Sequence, residues 1–158
     1  MTGPGDDRSE RSGDRADDAA GDPRSLLVVV LALLPWTVVV HPGGVDLVFG
    51  WGLVNTNPLG VVDLPSYLFV YTPGPRSLPS RLVAWPGSTA LFVLAVASAS
   101  LGVVGREDRR VTAALLALAG LVHLRVALGL VRVGGTALPV GSALMLGTAW
   151  WVLGRPAQ

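Results

Sequence analysis

The sequence predicts an all-α membrane protein with about four transmembrane helices and a structured extracytoplasmic cap between the first and second. Apolar residues make up 51% of the 158 residues, whereas charged residues make up 15%. A soluble domain normally carries about a quarter charged residues. The apolar residues are also grouped in long runs, of the kind that cross a bilayer. Composition and grouping therefore favour a membrane-spanning bundle.

Acidic residues are concentrated at the N-terminus. Residues 1–24 contain seven acidic residues and four arginines. Such a segment cannot bury enough apolar surface to offset the entropy cost of ordering it, so we predict a disordered acidic cytoplasmic tail over residues 1–24. The remaining arginines are scattered, which argues against nucleic-acid binding. The chain has no cysteine, so it forms no disulfide and no thiolate metal site.

A single polytopic membrane domain is predicted over residues 25–158, with helices at about 25–41, 78–104, 111–131 and 137–153. The run Leu26–Val40 spans only about 22 Å as a helix, which is short for a bilayer. The preceding segment is long and acidic, unlike the n-region of a signal peptide, so we favour a retained anchor helix. Ser77-Leu78-Pro79 is a helix-start pattern, and Pro86 marks a candidate kink.

The predicted outer cap covers residues 42–77. Pro42-Gly43-Gly44 predicts a turn before a short strand at Val45–Phe49. Asp63 followed by Leu64-Pro65 predicts a helix N-cap, and we expect a short helix at Leu64–Tyr71. The cap is expected to lie at the membrane surface.

Arginine placement predicts the orientation. With the N-terminus cytoplasmic, seven arginines flank the inner ends of the helices and three flank the outer ends. The positive-inside rule therefore favours a multi-pass protein of the cell membrane with both termini cytoplasmic. Aromatic residues are expected to form an interface belt: Trp51, Tyr67, Tyr71, Trp85, Trp150 and Trp151.

His123 and Arg125 are the two residues in a predicted span that most need explaining, because ionisable groups inside a bilayer are candidate functional groups. They lie two positions apart, so they point to nearly opposite faces of the helix and do not form one site. The His123 face carries small residues, which allow another helix to approach closely. A neutral imidazole bonded to a carbonyl or hydroxyl across that contact is the structural interpretation, and a functional site is the alternative.

Arg125 lies about 9 Å below the predicted outer helix end near Val131. It can extend to the interface or pair with an acceptor in the cap. Asp46 and Asp63 are the acidic residues of the cap. We therefore predict that one of them, or a backbone carbonyl of the cap, lies near Arg125 or Arg132.

The segment 51–58 contains both asparagines, Asn55 and Asn57. Asparagine before threonine or proline commonly forms local turns with the backbone. The alternative is a recognition loop that offers amide donors and acceptors next to the membrane.

The helices carry small residues one turn apart, as in Ala113-xxx-Ala117 and Ala143-xxx-Gly147, which suits an intramolecular bundle or a membrane-protein partner. The sequence lacks a phosphate-binding glycine loop, paired carboxylates within a span, metal-ligand spacing and a nucleophile elbow. We therefore predict no cofactor and no metal, and the pattern favours a non-enzymatic protein.

Several segments in order resemble a small, uncharacterised membrane-protein family of halophilic archaea, often encoded beside archaeosortase. They are Phe49–Pro58, Tyr67–Thr72, Leu82–Pro86, Leu121–Leu124 and Thr136–Gly141. The resemblance implies a haloarchaeal cell-envelope context and supplies no catalytic residue.

Two function hypotheses follow. The first is a non-enzymatic accessory factor in archaeal cell-envelope or protein-sorting processes, which contacts membrane lipids and a membrane-protein partner. The second is a lipid-binding protein or membrane enzyme with a site at the outer interface near Arg125 and the 51–58 loop. A small channel is a weaker third, because the spans offer no polar path.

Overall fold

The computed structural model describes residues 23–80, 82–101, 108–131 and 135–154. These residues form a mixed α/β fold, a five-stranded antiparallel sheet with three long helices, so the all-α prediction is wrong. The chain divides into two units, residues 1–30 and residues 31–158, and the sheet and the three long helices belong to the second. The predicted tail lies outside the described residues except for Pro23 and Arg24, which begin a helix.

The described elements follow in chain order. The helices are α1 (Pro23–Leu33), α2 (Leu64–Phe69), α3 (Ala84–Ser100), α4 (Arg109–Val131) and α5 (Val140–Gly154), with one 3₁₀ turn at Pro75–Ser77. The strands are β1 (Thr37–His41), β2 (Gly44–Val48), β3 (Gly52–Thr56), β4 (Leu59–Asp63) and β5 (Thr136–Leu138).

The predicted first span is half helix and half strand. Helix α1 ends at Leu33, and the run Thr37–His41 is the strand β1. Pro35 lacks an amide hydrogen and disfavours helical backbone at Leu34, so the helix cannot continue. The next four residues after Trp36, Thr-Val-Val-Val, are β-branched and favour a strand.

The predicted cap, residues 42–77, contains three strands of a larger sheet, β2 to β4. Strands β1 to β4 are successive antiparallel neighbours, and β5 pairs with the other side of β1, which gives the order β4-β3-β2-β1-β5. The predicted turn is present at residues 42–43, and Gly44 is already the first residue of β2. Strand β5 occupies the place where the start of the fourth helix was predicted.

The predicted helix start at Asp63 is confirmed. The Asp63 carboxylate accepts a hydrogen bond of 2.9 Å from the Ser66 amide, and Pro65 lies in the first turn of α2. This amide bond is the main reason that the pKa of Asp63 is lowered from its ordinary value. The cap contribution is present at neutral pH and is lost as pH falls through that lowered pKa.

The long helices differ from the predicted spans in length. Helix α3 has 17 residues and begins at Ala84, so Pro86 lies in its first turn, where its missing amide hydrogen removes no intrahelical bond. Helix α5 has 15 residues. Of the described helices, α4, with 23 residues, is the one long and apolar enough to cross a membrane. The prediction of four such spans is therefore wrong for the described part of the chain.

The sheet and the bundle meet at Trp36, which is fully buried. Its amide donates to the carbonyl of Val48 on β2 at 2.7 Å, and its carbonyl accepts from the amide of Gly141 on α5 at 2.9 Å. Its indole Nε1 donates to the Leu31 carbonyl at 2.7 Å. One residue therefore satisfies backbone groups of the sheet and of a bundle helix.

Two glycines allow Trp36 to approach so closely. A Cβ atom on Gly141 would lie 2.6 Å from the Trp36 Cα, and one on Gly50 would lie 2.5 Å from the indole ring. Neither distance is compatible with an ordinary side chain, so both positions depend on the absence of a Cβ.

We predict that Gly141→Ala destabilises the fold by about 1–3 kcal/mol, because the added methyl group meets the backbone of Trp36. Gly147→Ala is the matched control on the same helix, since a Cβ atom there would have no neighbouring atom within 4 Å. Thermal unfolding in detergent, followed by circular dichroism, measures both variants. Equal melting temperatures for the two would contradict the close contact at Trp36.

Candidate functional site

His123 lies at the centre of the junction between sheet and bundle and is fully buried. Its Nε2 is 3.0 Å from the hydroxyl of Thr37 on β1, and its Nδ1 is 3.2 Å from the hydroxyl of Ser88 on α3. The indole of Trp36 meets the imidazole edge-on, with ring centroids 5.1 Å apart. The imidazole thus connects three separate elements.

The surrounding hydrogen bonds determine the tautomer of His123. The Ser88 hydroxyl donates its single proton to the Trp85 carbonyl at 2.7 Å, so it can only accept from the imidazole. Nδ1 therefore carries the hydrogen, and Nε2 accepts from the Thr37 hydroxyl. Both ring nitrogens of the neutral imidazole are engaged, and no ring atom is open to a substrate.

Small residues around His123 allow the close packing. Ala119, Gly120 and Ala127 are all buried on the same side of α4. A Cβ atom on Gly120 would lie 3.2 Å from both Met145 Cβ and the Ser142 carbonyl oxygen on α5. The imidazole therefore lies between a hydroxyl of strand β1 and a hydroxyl of helix α3.

Arg125 lies on the other side of α4 and is exposed. No ion pair or hydrogen bond joins it to any residue in the described ranges. Asp46 Oδ2 lies 3.2 Å from His41 Nε2 without hydrogen-bond geometry, and the Asp63 carboxylate caps α2, so neither predicted acidic partner contacts Arg125. The predicted contact with Arg132 falls outside the described residues.

The two asparagines belong to a hairpin instead of a loop. Asn57 Nδ2 donates to the Gly43 carbonyl at 2.8 Å, and the Thr56 hydroxyl accepts from the Val45 amide at 2.9 Å. These bonds join the β3–β4 turn to the β1–β2 turn. Asn55 lies within β3, opposite Asp46 and Gly60. The Asn57 amide is thus used to hold two turns together.

Helix α3 holds the turn between β2 and β3. The indole of Trp85 donates to the Phe49 carbonyl at 2.8 Å, and the Thr89 hydroxyl donates to the Gly50 carbonyl at 2.7 Å. Trp85 is buried, so it cannot belong to the predicted interface belt. Trp51 and Trp150 are exposed, and Trp151 is half-buried.

Sequence reasoning misses three residues of this site: Trp36, Thr37 and Ser88. Trp36 and Thr37 fall inside a predicted span, where their neighbours cannot be inferred. Ser88 is one of several hydroxyl residues in apolar helices, and nothing in its spacing distinguishes it. Within the described ranges, no group of three histidine or acidic residues has the geometry of a metal site.

A family model described as Domain of unknown function (DUF8050) matches residues 4–158. No curated protein and no solved structure matches the chain. The family match covers nearly the whole chain, and its description specifies no activity. The geometry of the junction and of the bundle surface is therefore the basis for assigning a function.

Ser88→Ala is predicted to lower the free energy of unfolding by about 1–3 kcal/mol, because the buried Nδ1–H of His123 loses its acceptor. Ser100→Ala, at the exposed end of the same helix, should change it by less than about 0.5 kcal/mol. Chemical or thermal unfolding in detergent compares the two. If they are equally stable, the hydroxyl contacts of His123 do not hold the junction together.

Proposed function

We propose that this chain, which belongs to the family of the domain of unknown function DUF8050, is a membrane-associated, non-enzymatic accessory protein of the archaeal cell envelope. Its bundle contacts lipid and carries the sheet as a surface for a partner. The observation that carries this proposal is the distribution of polar side chains in the three long helices.

Polar side chains lie inside the bundle and apolar side chains lie outside. The hydroxyls of Thr112, Ser142 and Thr148 are buried together with Ser88 and His123. Apart from Arg110 and Arg125, the exposed large side chains of the same helices are apolar and include Val93, Leu94, Leu118, Leu121, Leu128, Leu144 and Trp150. Water-soluble proteins rarely expose an apolar surface of this extent, whereas lipid accommodates it.

The length of α4 suits this environment. Its 23 residues extend about 34 Å, which is enough to cross a hydrocarbon core of about 30 Å. We place α4 across the bilayer, with the shorter α3 and α5 packed along it. Within the bundle the Ser98 and Thr112 hydroxyls are hydrogen-bonded to each other at 2.8 Å, whereas the buried Ser142 hydroxyl has no hydrogen-bond partner among the described residues.

The non-enzymatic part of the proposal is supported by the closure of the His123 site. A catalytic imidazole needs a free nitrogen and access to a substrate. In this structure both nitrogens of His123 are bonded to hydroxyls and the ring is fully buried. The envelope and protein-sorting context rests on the family resemblance of the sequence.

Arg125 supports a second function, binding of an anionic lipid headgroup. Arg125 is the one charged residue among the exposed residues of α4 between Val111 and Val131. No described residue forms an ion pair with its guanidinium group. A guanidinium at this position can form charge-assisted hydrogen bonds to a phosphate oxygen. Within the 51–58 segment, the Thr56 hydroxyl and the Asn57 amide are bonded to residues of the sheet and its turns.

The lipid contact of the bundle is tested with single cysteines, because the chain contains none. Leu121→Cys lies on the exposed face of α4, and Pro42→Cys lies on the exposed turn between β1 and β2. After spin labelling in vesicles, we expect the label at position 121 to collide with oxygen, which concentrates in lipid. The label at position 42 should instead collide with a water-soluble relaxation agent.

The two labels are each other's control, since both sites are exposed in the structure. Equal access of the water-soluble agent to both positions would contradict insertion of the bundle into lipid. The non-enzymatic proposal would survive that result, but the membrane location would not.

Arg125→Gln is predicted to reduce the preference for vesicles with anionic lipid several-fold, because one unpaired positive charge is removed. Arg76→Gln gives the same change of net charge at an exposed residue outside the bundle and should have little effect. Arg125→Lys should keep most of the preference. Vesicle binding at two salt concentrations measures this preference for anionic lipid. An equal loss of preference in Arg125→Gln and Arg76→Gln would argue against a headgroup site at Arg125.

A further inference from the structure

The outer edge of β4 is a free strand edge. Strand β4 is the last strand in the sheet order, and no described residue pairs with its outer side. The side chains of Leu59 and Val61 are 81% and 64% exposed, so nothing described covers this part of the sheet. An uncovered edge presents unpaired backbone donors and acceptors.

Two backbone hydrogen bonds identify which groups point outward. The Phe49 amide donates to the Gly52 carbonyl at 2.7 Å, and the Leu64 amide donates to the Trp51 carbonyl at 2.8 Å. With Gly52 opposite Asp63, both bonds place Gly60 and Val62 in the hydrogen-bonded pairs with β3. The amide and carbonyl groups of Leu59 and Val61 therefore point away from the sheet.

The other edge of the sheet is protected, and this one is not. Strand β5 has three residues and lies between Gly135 and Pro139. Strand β4 has five residues in continuous register with β3, and it carries no proline. Its one charged residue, Asp63, is engaged in capping α2. Sheet edges are usually protected from pairing by charged side chains, by proline or by a short strand. The central residues of β4 have none of these protections.

We propose that β4 pairs with β4 of a second copy of this chain, antiparallel and across a two-fold axis at Gly60. In this register Leu59 lies opposite Val61 of the second copy, and Val61 lies opposite its Leu59. Each β4 strand presents two outward amides and two outward carbonyls, those of Leu59 and Val61. When they meet the same groups of the second copy, four hydrogen bonds form.

Gly60 suits the position on the axis. A residue on the axis forms a pair without hydrogen bonds, in which the Cα atoms approach to about 4.5 Å. A Cβ atom on Gly60 would meet only the Pro58 carbonyl oxygen, at 3.9 Å, so its inner side is open. The two-fold arrangement therefore places the smallest residue where the strands come closest.

The side chains also favour a second copy over a foreign strand. The residues Leu138, Val38, Leu47, Val54 and Val61 are register neighbours in one apolar row across all five strands. Pairing two β4 strands continues this row into the second sheet and sets no like charges opposite each other. The area buried by two five-residue strands is below the roughly 1,200 Å² of a stable soluble dimer, so we expect reversible association.

The test uses Gly60→Cys in the otherwise cysteine-free full chain, reconstituted in vesicles. Residues opposite each other in such a pair have Cβ atoms about 4.5–5.5 Å apart, which a short crosslinker or a disulfide can join. We expect a product of twice the 16.4 kDa chain mass. Thr136→Cys, on the exposed opposite edge, should remain monomeric under the same oxidant.

Charge substitutions test the register. Leu59→Asp combined with Val61→Asp places like charges opposite each other and should abolish crosslinking through Gly60→Cys. Leu59→Lys combined with Val61→Asp places opposite charges there and should restore it. Both positions are exposed, so the fold should tolerate either pair, and circular dichroism checks this.

Three results would overturn the proposal. The first is crosslinking at position 60 no greater than at position 136. The second is an equal loss of crosslinking in the Asp/Asp double variant and in the Lys/Asp double variant. The third is capture of a different protein by Gly60→Cys in native membranes while the purified chain stays monomeric. Repeating the test in detergent micelles separates it from the membrane proposal, because strand pairing does not require a bilayer.

Discussion

The fold depends on the position of Trp36 between the sheet and the bundle. Its backbone bonds to Val48 on one side and to Gly141 on the other, and its ring packs against Phe92 and His123. Trp36 lies so close to Gly50 and Gly141 that a Cβ atom at either glycine would clash with it. Because the same residue completes hydrogen bonds in both parts, neither the sheet nor α5 can shift without exposing buried backbone groups.

The polar interior of the bundle follows from this junction. Trp36 closes one side of the His123 pocket, so the imidazole is left with Thr37 and Ser88 as partners. Burying a polar side chain is costly unless it is hydrogen-bonded within the protein. The arrangement therefore explains how an apolar helix can hold a histidine, because both ring nitrogens contact hydroxyl groups inside the fold.

The long apolar helix α4 and the N-cap of helix α2 are predictable from local sequence patterns. The apolar run of α4 and the Asp63-Leu64-Pro65 start of α2 can be recognised because each depends on neighbours in sequence. The strand Thr37–His41 is mistaken for helix, because a continuous apolar run does not distinguish a buried strand from a buried helix. Pro35 and the β-branched residues that follow it carry the signal that divides that run.

The site is less predictable than the fold. His123 stands out in the sequence because a histidine in an apolar helix needs a partner. Its partners lie 86 and 35 residues away in sequence, and neither Thr37 nor Ser88 forms a motif with it. The sequence predicts an acid or a backbone carbonyl of the cap near Arg125 or Arg132, but Asp46 lies beside His41 and Asp63 caps α2. Strand pairing and tertiary packing set these contacts, and spacing along the chain does not reveal them.

Amide hydrogen exchange of the protein in lipid nanodiscs tests whether Trp36 joins sheet and bundle into one cooperative unit. We expect the amides of Trp36 and Gly141 to exchange as slowly as those in the middle of α4, and through the same opening event. If the amides of β1 and β2 exchanged quickly while α4 and α5 remained protected, the sheet would open alone. Trp36 would then not couple the two parts of the fold.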